Sequence, residues 1–398
     1  MGFLSKLFGP PTRDDFAKLF MAELARQGHA AKYDPADFSL RTLGDEPHVY
    51  NLHNFYDEQC KLPKAERKTH LLRSVTACLS SQRDLPEDYE DAEPDLRIKL
   101  WCRATLEKVR LRQLLESGDG NLAFPVQEVG EHLFATVVYD YPAAVRSVST
   151  DDLNRWGVSI YEALEVAKHN LAEDQSMLAS LGDSLYVSLT GDSYDASRLL
   201  LVDKIRSLKV KGDPIAMIPN RDSLLITGSD DLEGQGMMLD LAEKGADEPR
   251  TMIFTPLRLE GDGWIDWTPP PSHPLYSRWQ TLEIKYLYPE YEEQKAMLEA
   301  LHEKQEIAVF VASYACAQMK DGTLSTFAVW SNGVDTLLPK AQRLMFYEEG
   351  KNIVADGEWD HVVSIVGHLM EPTEHYPPRF RVLEFPTDDQ LAAIGRLA

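Results

Sequence analysis

Cysteine is scarce: four in 398 residues, with no C-x-x-C pair. This removes the usual grounds for a disulfide framework, a zinc knuckle or a thioredoxin-like redox site. Cys60, Cys78, Cys102 and Cys316 are expected to be structural thiols of a protein kept in a reducing compartment. Long apolar runs are also missing. The longest uncharged stretch, Ile307–Met319, is interrupted by Ser313, Tyr314 and Gln318. It falls well short of the roughly 18–20 apolar residues that cross a bilayer. At the start, Phe3, Leu4, Leu7 and Phe8 share one face of a short turn, but no apolar core or cleavage site follows, as a signal peptide would need. Lys6 stands where a myristoylation signal wants Ser or Thr. A frayed terminus stopped by Pro10-Pro11 is expected there, with a weak surface anchor as the alternative.

Positive charge is short as well. Lys and Arg number 41 against 64 Asp and Glu, a net charge of −23, and no Lys/Arg run occurs. A nucleic-acid backbone binder needs a basic face, so that class is excluded. The deficit is uneven: residues 1–150 carry 19 basic and 23 acidic groups (−4), and residues 151–398 carry 22 and 41 (−19). Such a surface favours solubility, disfavours stable insertion into anionic membranes and attracts a basic protein partner.

Catalytic signatures are absent too: there is no G-x-x-x-x-G-K-[ST], H-E-x-x-H or G-x-S-x-G. Gly118-Asp119-Gly120-Asn121-Leu122-Ala123 fits the loose dinucleotide pattern, but Phe124-Pro125 follows where a helix is required. Gly234-Gln235-Gly236 lacks the third glycine and reads as a tight helix–sheet contact. His48 and His53 fall on opposite faces of a strand-like run. His361, His368 and His375 are seven apart, but Pro372 and Pro377-Pro378 break any shared helix. No metal and no cofactor is expected.

What remains is an ordinary globular composition, 43% hydrophobic and 26% charged, in a chain long enough for two or three domains. Helices are expected over Asp14–Gln27, with Phe16, Leu19, Phe20 and Leu24 inward, and over Leu62–Ser81, Asp151–Ala172, Asp195–Leu208, Asp230–Ala246 and Pro289–Gln305. Ser159-x-x-Glu162 has capping-box form. His48–Tyr56, Leu133–Tyr139, Leu185–Leu189, Ile215–Ile218, Leu224–Thr227, Thr251–Leu259, Trp264–Trp267, Val362–Val366 and Phe380–Phe385 read as strands. Leu96–Leu115 is open between strand and helix. Four prolines within Thr268–Pro274 read as a linker. The expected class is α+β: mixed sheets with helices on one face, divided into 1–145, a β-α-β-β-α-β-β lobe over 146–268, a linker over 269–281 and a smaller α+β module over 282–398.

One constellation carries possible chemistry. Asp195 and Arg198 open a helix after a strand, Asp213 precedes the next strand, and Asn220-Arg221-Asp222 fill the following turn. Converged, the carboxylates would offer acid–base or ligand oxygens, and Arg198 and Arg221 would clamp an anion. Uncombined, Asp195 caps its own helix, Asp213 and Asp222 close turns, and the arginines pair with such carboxylates.

Three blocks, Ala167-Lys168-His169-Asn170-Leu171, Tyr194-Asp195-Ala196-Ser197-Arg198-Leu199-Leu200 and Ala216–Ile226, resemble the bacterial YtpQ-like family in order and spacing. The resemblance covers about residues 14–267 and leaves the C-terminal module as an addition. It implies a cytoplasmic protein, but the family has no established activity or catalytic residue set to carry over. The sequence therefore points to a non-catalytic binding protein, its partner a basic protein or a small ligand. The alternative is a hydrolase-like enzyme using the Asp195–Asp222 cluster.

Overall fold

In the computed structural model the residues described are 11–395, apart from 45–47, 81–82, 143, 175–177, 247–249 and 321. The Met1–Phe8 face and the last residues lie outside them.

The first core forms around α1 (Arg13–Arg26), whose first turn is capped by Thr12 accepting from the Asp15 amide at 3.2 Å. Phe16, Phe20 and Leu24 are buried, with Ala17 completing the stripe; Leu19 faces solvent. Strands β1 (Ala31–Asp34), β2 (Ser39–Thr42) and β3 (Val49–Asn51) make a small antiparallel sheet. The strand expected over His48–Tyr56 stops at Asn51, whose side-chain oxygen accepts from the His53 amide at 3.1 Å and starts α2 (His53–Lys61). Helix α3 (Arg67–Ser80) follows, and Phe38, Leu40, Leu52 and Val75 join the α1 aromatics in one cluster.

Strand β4 (Leu96–Cys102) resolves the open Leu96–Leu115 stretch. Leu96, Ile98, Leu100 and Cys102 point into the next core, and Arg97, Lys99 and Trp101 stand on the opposite, half-buried face. The chain then turns directly into α4 (Arg103–Ser117), closed by Gly118 at φ 80°. No helix follows Gly120, consistent with its weak dinucleotide match. Strand β6 (Leu133–Tyr141) pairs with β4 from Leu96↔Tyr139 to Cys102↔Leu133, and takes β5 (Gln127–Val129) and β7 (Ala144–Ser147) as its other neighbours. Helices α5 (Thr150–Trp156) and α6 (Ile160–Glu173) each begin with a complete capping box, Ser149/Asp152 and Ser159/Glu162.

A six-stranded sheet follows, ordered β13-β12-β10-β11-β9-β8 and antiparallel throughout. Its strands are β8 (Ala179–Leu181), β9 (Leu185–Ser188), β10 (Pro214–Asn220), β11 (Leu224–Gly228), β12 (Thr251–Glu260) and β13 (Gly263–Asp266). The helix expected over Asp195–Leu208 divides into a 3-10 turn, Ala196–Leu200, and a single α turn, α7 (Val202–Arg206). Helix α8 (Leu232–Gly245) lies on β9–β11. A Cβ on its Gly234 would sit 2.0 Å from Thr227 Oγ1 and 2.2 Å from the Ser184 carbonyl, so this helix–sheet approach requires glycine. The hydrophobic cluster under both sheets is continuous: Leu100 and Val137 share it with Leu164 and Ile226, on either side of the division expected at 145/146.

The segment expected to be a linker is partly helix. Helix α9 (Tyr276–Gln305) runs for 30 residues through Pro289. It starts 13 residues before the expected Pro289 because Trp279 and Leu282 bury into the central core, and that burial outweighs the proline-rich approach. Farther along, Tyr291 enters the C-terminal core, and Leu298 and Leu301 meet Leu111 of α4. The C-terminal unit has two four-stranded sheets. One is β14-β17-β21-β20 (Phe310–Val311, Thr336–Pro339, Arg379–Val382 and Glu371–Pro372). The other is β15-β16-β18-β19 (Ala315–Gln318, Leu324–Ser331, Arg343–Glu348 and Asn352–Glu358), with β16 and β18 parallel. Val362–Val366, expected as a strand, belongs to α10 (Trp359–Val366), where Val362 and Val366 bury at i,i+4 and Val363 is exposed. Thr387 and Gln390 reciprocally cap α11 (Asp388–Gly395). The chain is therefore an α+β protein.

Arg379 holds the C-terminal unit to α9. It is 1% exposed, and it donates to Gln294 Oε1 at 2.6 Å and to the carbonyls of Ala312 and Leu337 at 2.8 and 3.1 Å. Its guanidinium also lies 5.4 Å from the Tyr291 ring centre. Arg379→Leu strands those acceptors, each at a cost of about 1–3 kcal/mol. Urea denaturation is expected to show the C-terminal unit weakened by ~3 kcal/mol or more. A change under about 1 kcal/mol would mean that water replaces the guanidinium without loss.

Candidate functional site

Asp195 and Arg198 converge, but on each other. Asp195 is fully buried. Its Oδ1 accepts from Ser188 Oγ at 2.6 Å, the Thr190 amide at 2.8 Å, Thr190 Oγ1 at 3.0 Å and Arg198 Nη1 at 3.3 Å; Oδ2 accepts from the Gly191 amide at 3.0 Å. Asp195 thus clasps the loop behind it rather than capping the helix ahead, none of whose backbone amides it accepts from. Arg198, 2% exposed, donates to both carboxylate oxygens of Asp192. Burial alone would push the Asp192 carboxyl up, but hydrogen bonds from Arg198, the Tyr194 amide and Thr190, with the Arg198 charge, together outweigh it and hold the group below its ordinary range. Asp195 is enclosed by these donors and has no solvent exposure, so it is not presented to a substrate.

Asp213 lies elsewhere. It precedes β10, whereas Asn220-Arg221-Asp222 close the far end of that seven-residue strand, roughly 20 Å away. Its side chain is 62% exposed with Arg258 3.9 Å off, at the rim of an open groove of about 480 Å³ shared with Ser229, Asp230 and His273.

The Asn220–Asp222 turn does meet new partners. Asn220 Oδ1 accepts from the Asp222 amide at 3.0 Å, a local turn bond that sets the loop. The Arg221 carbonyl accepts from the Ala196 amide at 3.3 Å, and the Arg221 amide donates to the Arg250 carbonyl at 3.1 Å. These bonds tie the turn to the Asp195 loop and to the start of β12. Arg250 holds φ at 63°, a left-handed conformation that few non-glycine residues adopt. Its guanidinium reaches Glu58 of α2 at 2.5 Å and Asp222 at 3.5 Å. Arg221 Nε stays 3.8 Å from Asp222 Oδ1; both atoms are buried and neither has a hydrogen-bond partner among the described residues. His70 of α3 closes the same edge, its Nε2 3.1 Å from Glu58.

Lys99, on the half-buried face of β4, adds a third cation to this region. Its ammonium sits 5.1 Å from the ring centre of Trp101 and makes no hydrogen bond or ion pair among the described residues. Burial, then repulsion by Arg221 and Arg250, pushes its pKa down to about 7, against weaker support from Asp222 and Asp140. Arg221 is shifted down for the same reasons, burial first and Arg250 second. Burial and the Asp140 carboxylate push the Tyr194 phenol up. Glu58 is held low by His70 and Arg250, which together outweigh its own burial. This region reaches solvent: the side chains of Arg221, Arg250 and Asp222 are 22%, 27% and 40% exposed.

Of the six sequence-chosen residues, the structure joins Asp195 with Arg198, places Asn220, Arg221 and Asp222 beside them through the Ala196–Arg221 bond, and leaves Asp213 apart. Lys99, Arg250, Glu58 and His70 were missed. The alternating Arg97/Lys99/Trp101 face was the available signal for one of them, since a lysine on a strand face flanked by a tryptophan is suited to partial burial. Nothing in the local sequence joins the other three to the turn.

Among the described residues, no group of three or more His, Cys, Asp or Glu side chains could hold a metal ion. His361 meets the Ala393 carbonyl and His375 pairs with Glu107. Among the same residues no helix is long and apolar enough to cross a membrane. Comparison with protein-family models, with curated proteins and with solved structures found no match.

Proposed function

We propose that this chain is a non-catalytic binding protein whose ligand is a small anion, recognised by Lys99, Arg221 and Arg250. The observation that carries the reading is the Lys99 ammonium, set without a carboxylate contact beside two guanidiniums in a chain of net charge −23. A cation kept this way is destabilising until an anion joins it, and such a cost is characteristic of functional positions. The unpartnered Arg221 Nε is a second donor for the same guest. The hydrolase alternative has less support, because Asp195 is fully buried and Asp213 is remote.

Titration calorimetry with inorganic phosphate, and separately with acetate, tests the reading on the full chain. Each charge-assisted hydrogen bond is worth about 1.5–3 kcal/mol, so Arg221→Gln and Lys99→Gln are each expected to weaken binding by about tenfold or more. Binding that is undetectable in the unaltered chain, or equal in the variants, would sink the proposal.

A further inference from the structure

We propose that the open groove at the Asp213 end of β10 binds a neutral carbohydrate, a mono- or disaccharide, against the ring of Trp267. The site is separate from the Arg221–Asp222 turn, which closes the other end of β10, and it does not depend on the anion reading. The groove holds about 480 Å³, within the range of about 300–1,000 Å³ typical of small-molecule sites. Its polar lining comes from four segments: Asp213 before β10, Ser229 and Asp230 after β11, Arg258 on β12, and Trp267 with His273 after β13. The first two segments are fixed to each other. The Ser229 amide donates to the Asp213 carbonyl at 2.8 Å, and the Asp213 amide donates to Ser229 Oγ at 2.9 Å. They close over Gly212, where a Cβ would lie 2.3 Å from Ser229 Oγ and 2.7 Å from Asp230 Oδ2. The two acids are therefore seated on paired backbone rather than carried on a free loop.

The polar groups of this groove are left open. Arg258 lies 3.9 Å from Asp213 and 3.8 Å from Glu260, both beyond hydrogen-bond length. Two other strand arginines are each closed by a carboxylate: Arg343 by Asp356 at 3.0 and 2.7 Å, and Arg381 by Asp335 at 3.0 and 2.6 Å. His273 Nδ1 accepts from the Leu275 amide at 3.2 Å. The neutral ring then carries its proton on Nε2, a donor with no hydrogen-bond partner among the described residues. Trp267 meets Trp279 and His273 at interplanar angles of 84° and 85°, so neither ring is stacked flat on its indole. An anion in the groove is repelled by Asp213 and Asp230, and a simple cation is repelled by Arg258. A neutral sugar suits all of these groups. Its hydroxyls donate to the two carboxylates and accept from Arg258 and His273, and its C–H face lies against the half-buried indole.

Calorimetric titration of the full chain with glucose, galactose, mannose, maltose and lactose tests the proposal. At least one of these sugars is expected to bind at a single site with a millimolar or lower Kd. Asp213→Ala and Arg258→Gln, both outside the core, are each expected to weaken that binding about tenfold or more, the loss of one charge-assisted hydrogen bond. Trp267→Phe, the milder change at a ring that also meets Trp279, is expected to weaken it about threefold. Millimolar phosphate is expected not to compete, which keeps this result apart from the anion reading. No binding by any of these sugars, or sugar binding unchanged in Asp213→Ala and Arg258→Gln, would overturn the proposal. Glycine and leucine, zwitterions able to bridge Asp213 and Arg258, are titrated in parallel, and their binding in place of the sugars would overturn the carbohydrate class.

Discussion

Asp195→Ala is expected to cost the fold at least ~3 kcal/mol, and Asp195→Asn nearly as much. The carboxylate satisfies two backbone amides, two hydroxyls and a guanidinium from a site with no solvent exposure. Removing it strands the buried Ser188 hydroxyl, unties the Thr190–Gly191 loop and takes one of two counter-charges from the buried Arg198, a class of loss worth about 3–5 kcal/mol. Asparagine preserves the volume but turns an NH2 group toward donors, so it recovers little. Asp222→Asn provides the contrast: its side chain is 40% exposed, and the change is expected to stay within about 1 kcal/mol. Urea midpoints followed by circular dichroism measure all three. A wild-type midpoint for Asp195→Asn would return Asp195 to the list of groups free for chemistry and reopen the hydrolase alternative.

How much of this was legible beforehand follows from the range of the interactions involved. A signal spanning three residues was read correctly: the Ser159/Glu162 box depends only on neighbours in the chain. Strands with turn residues between them, such as Pro214–Asn220 and Leu224–Gly228, were equally plain. Short apolar runs were not. Val362-Val363-Ser364-Ile365-Val366 satisfies both a strand and a helix, and packing against α11 chooses the helix. The start of α9 was hidden because prolines are strong local punctuation, while the burial of Trp279 is decided by residues far away in the chain. The candidate site divides along the same line. Asp195 and Arg198 are three residues apart and find each other within one loop. Lys99, Arg250 and Glu58 come from β4, the start of β12 and α2, and only the docking of the N-terminal helices against the central sheets brings them to Asp222.

Lys99→Met is expected to stabilise the protein at pH 6, by on the order of 1–3 kcal/mol, and to lose that advantage as pH rises. The sign follows from where the proton sits. Unfolded, the amine has the ordinary lysine pKa near 10.4; folded, it is pushed down to about 7. At pH 6 both states are protonated, and the folded chain bears the cost of a half-buried cation repelled by Arg221 and Arg250. Between about pH 7 and 10 the unfolded chain holds more protons than the folded one, so the unaltered protein gains stability with pH while the methionine variant does not gain from this group. The difference between the two is therefore greatest below pH 7 and closes toward pH 10. Arg221 and Arg250, which face Lys99 as cations, keep their charge across this window, so they do not reverse the trend. Denaturation at pH 6 and pH 9.5 checks it, with millimolar phosphate as a further arm. Phosphate is expected to raise the stability of the unaltered chain at pH 6 more than that of Lys99→Met, since a ligand stabilises only as far as it prefers the folded state. A Lys99→Met gain that is the same at both pH values would show that the side chain acts through packing alone, and the charge argument for the anion site would fall with it.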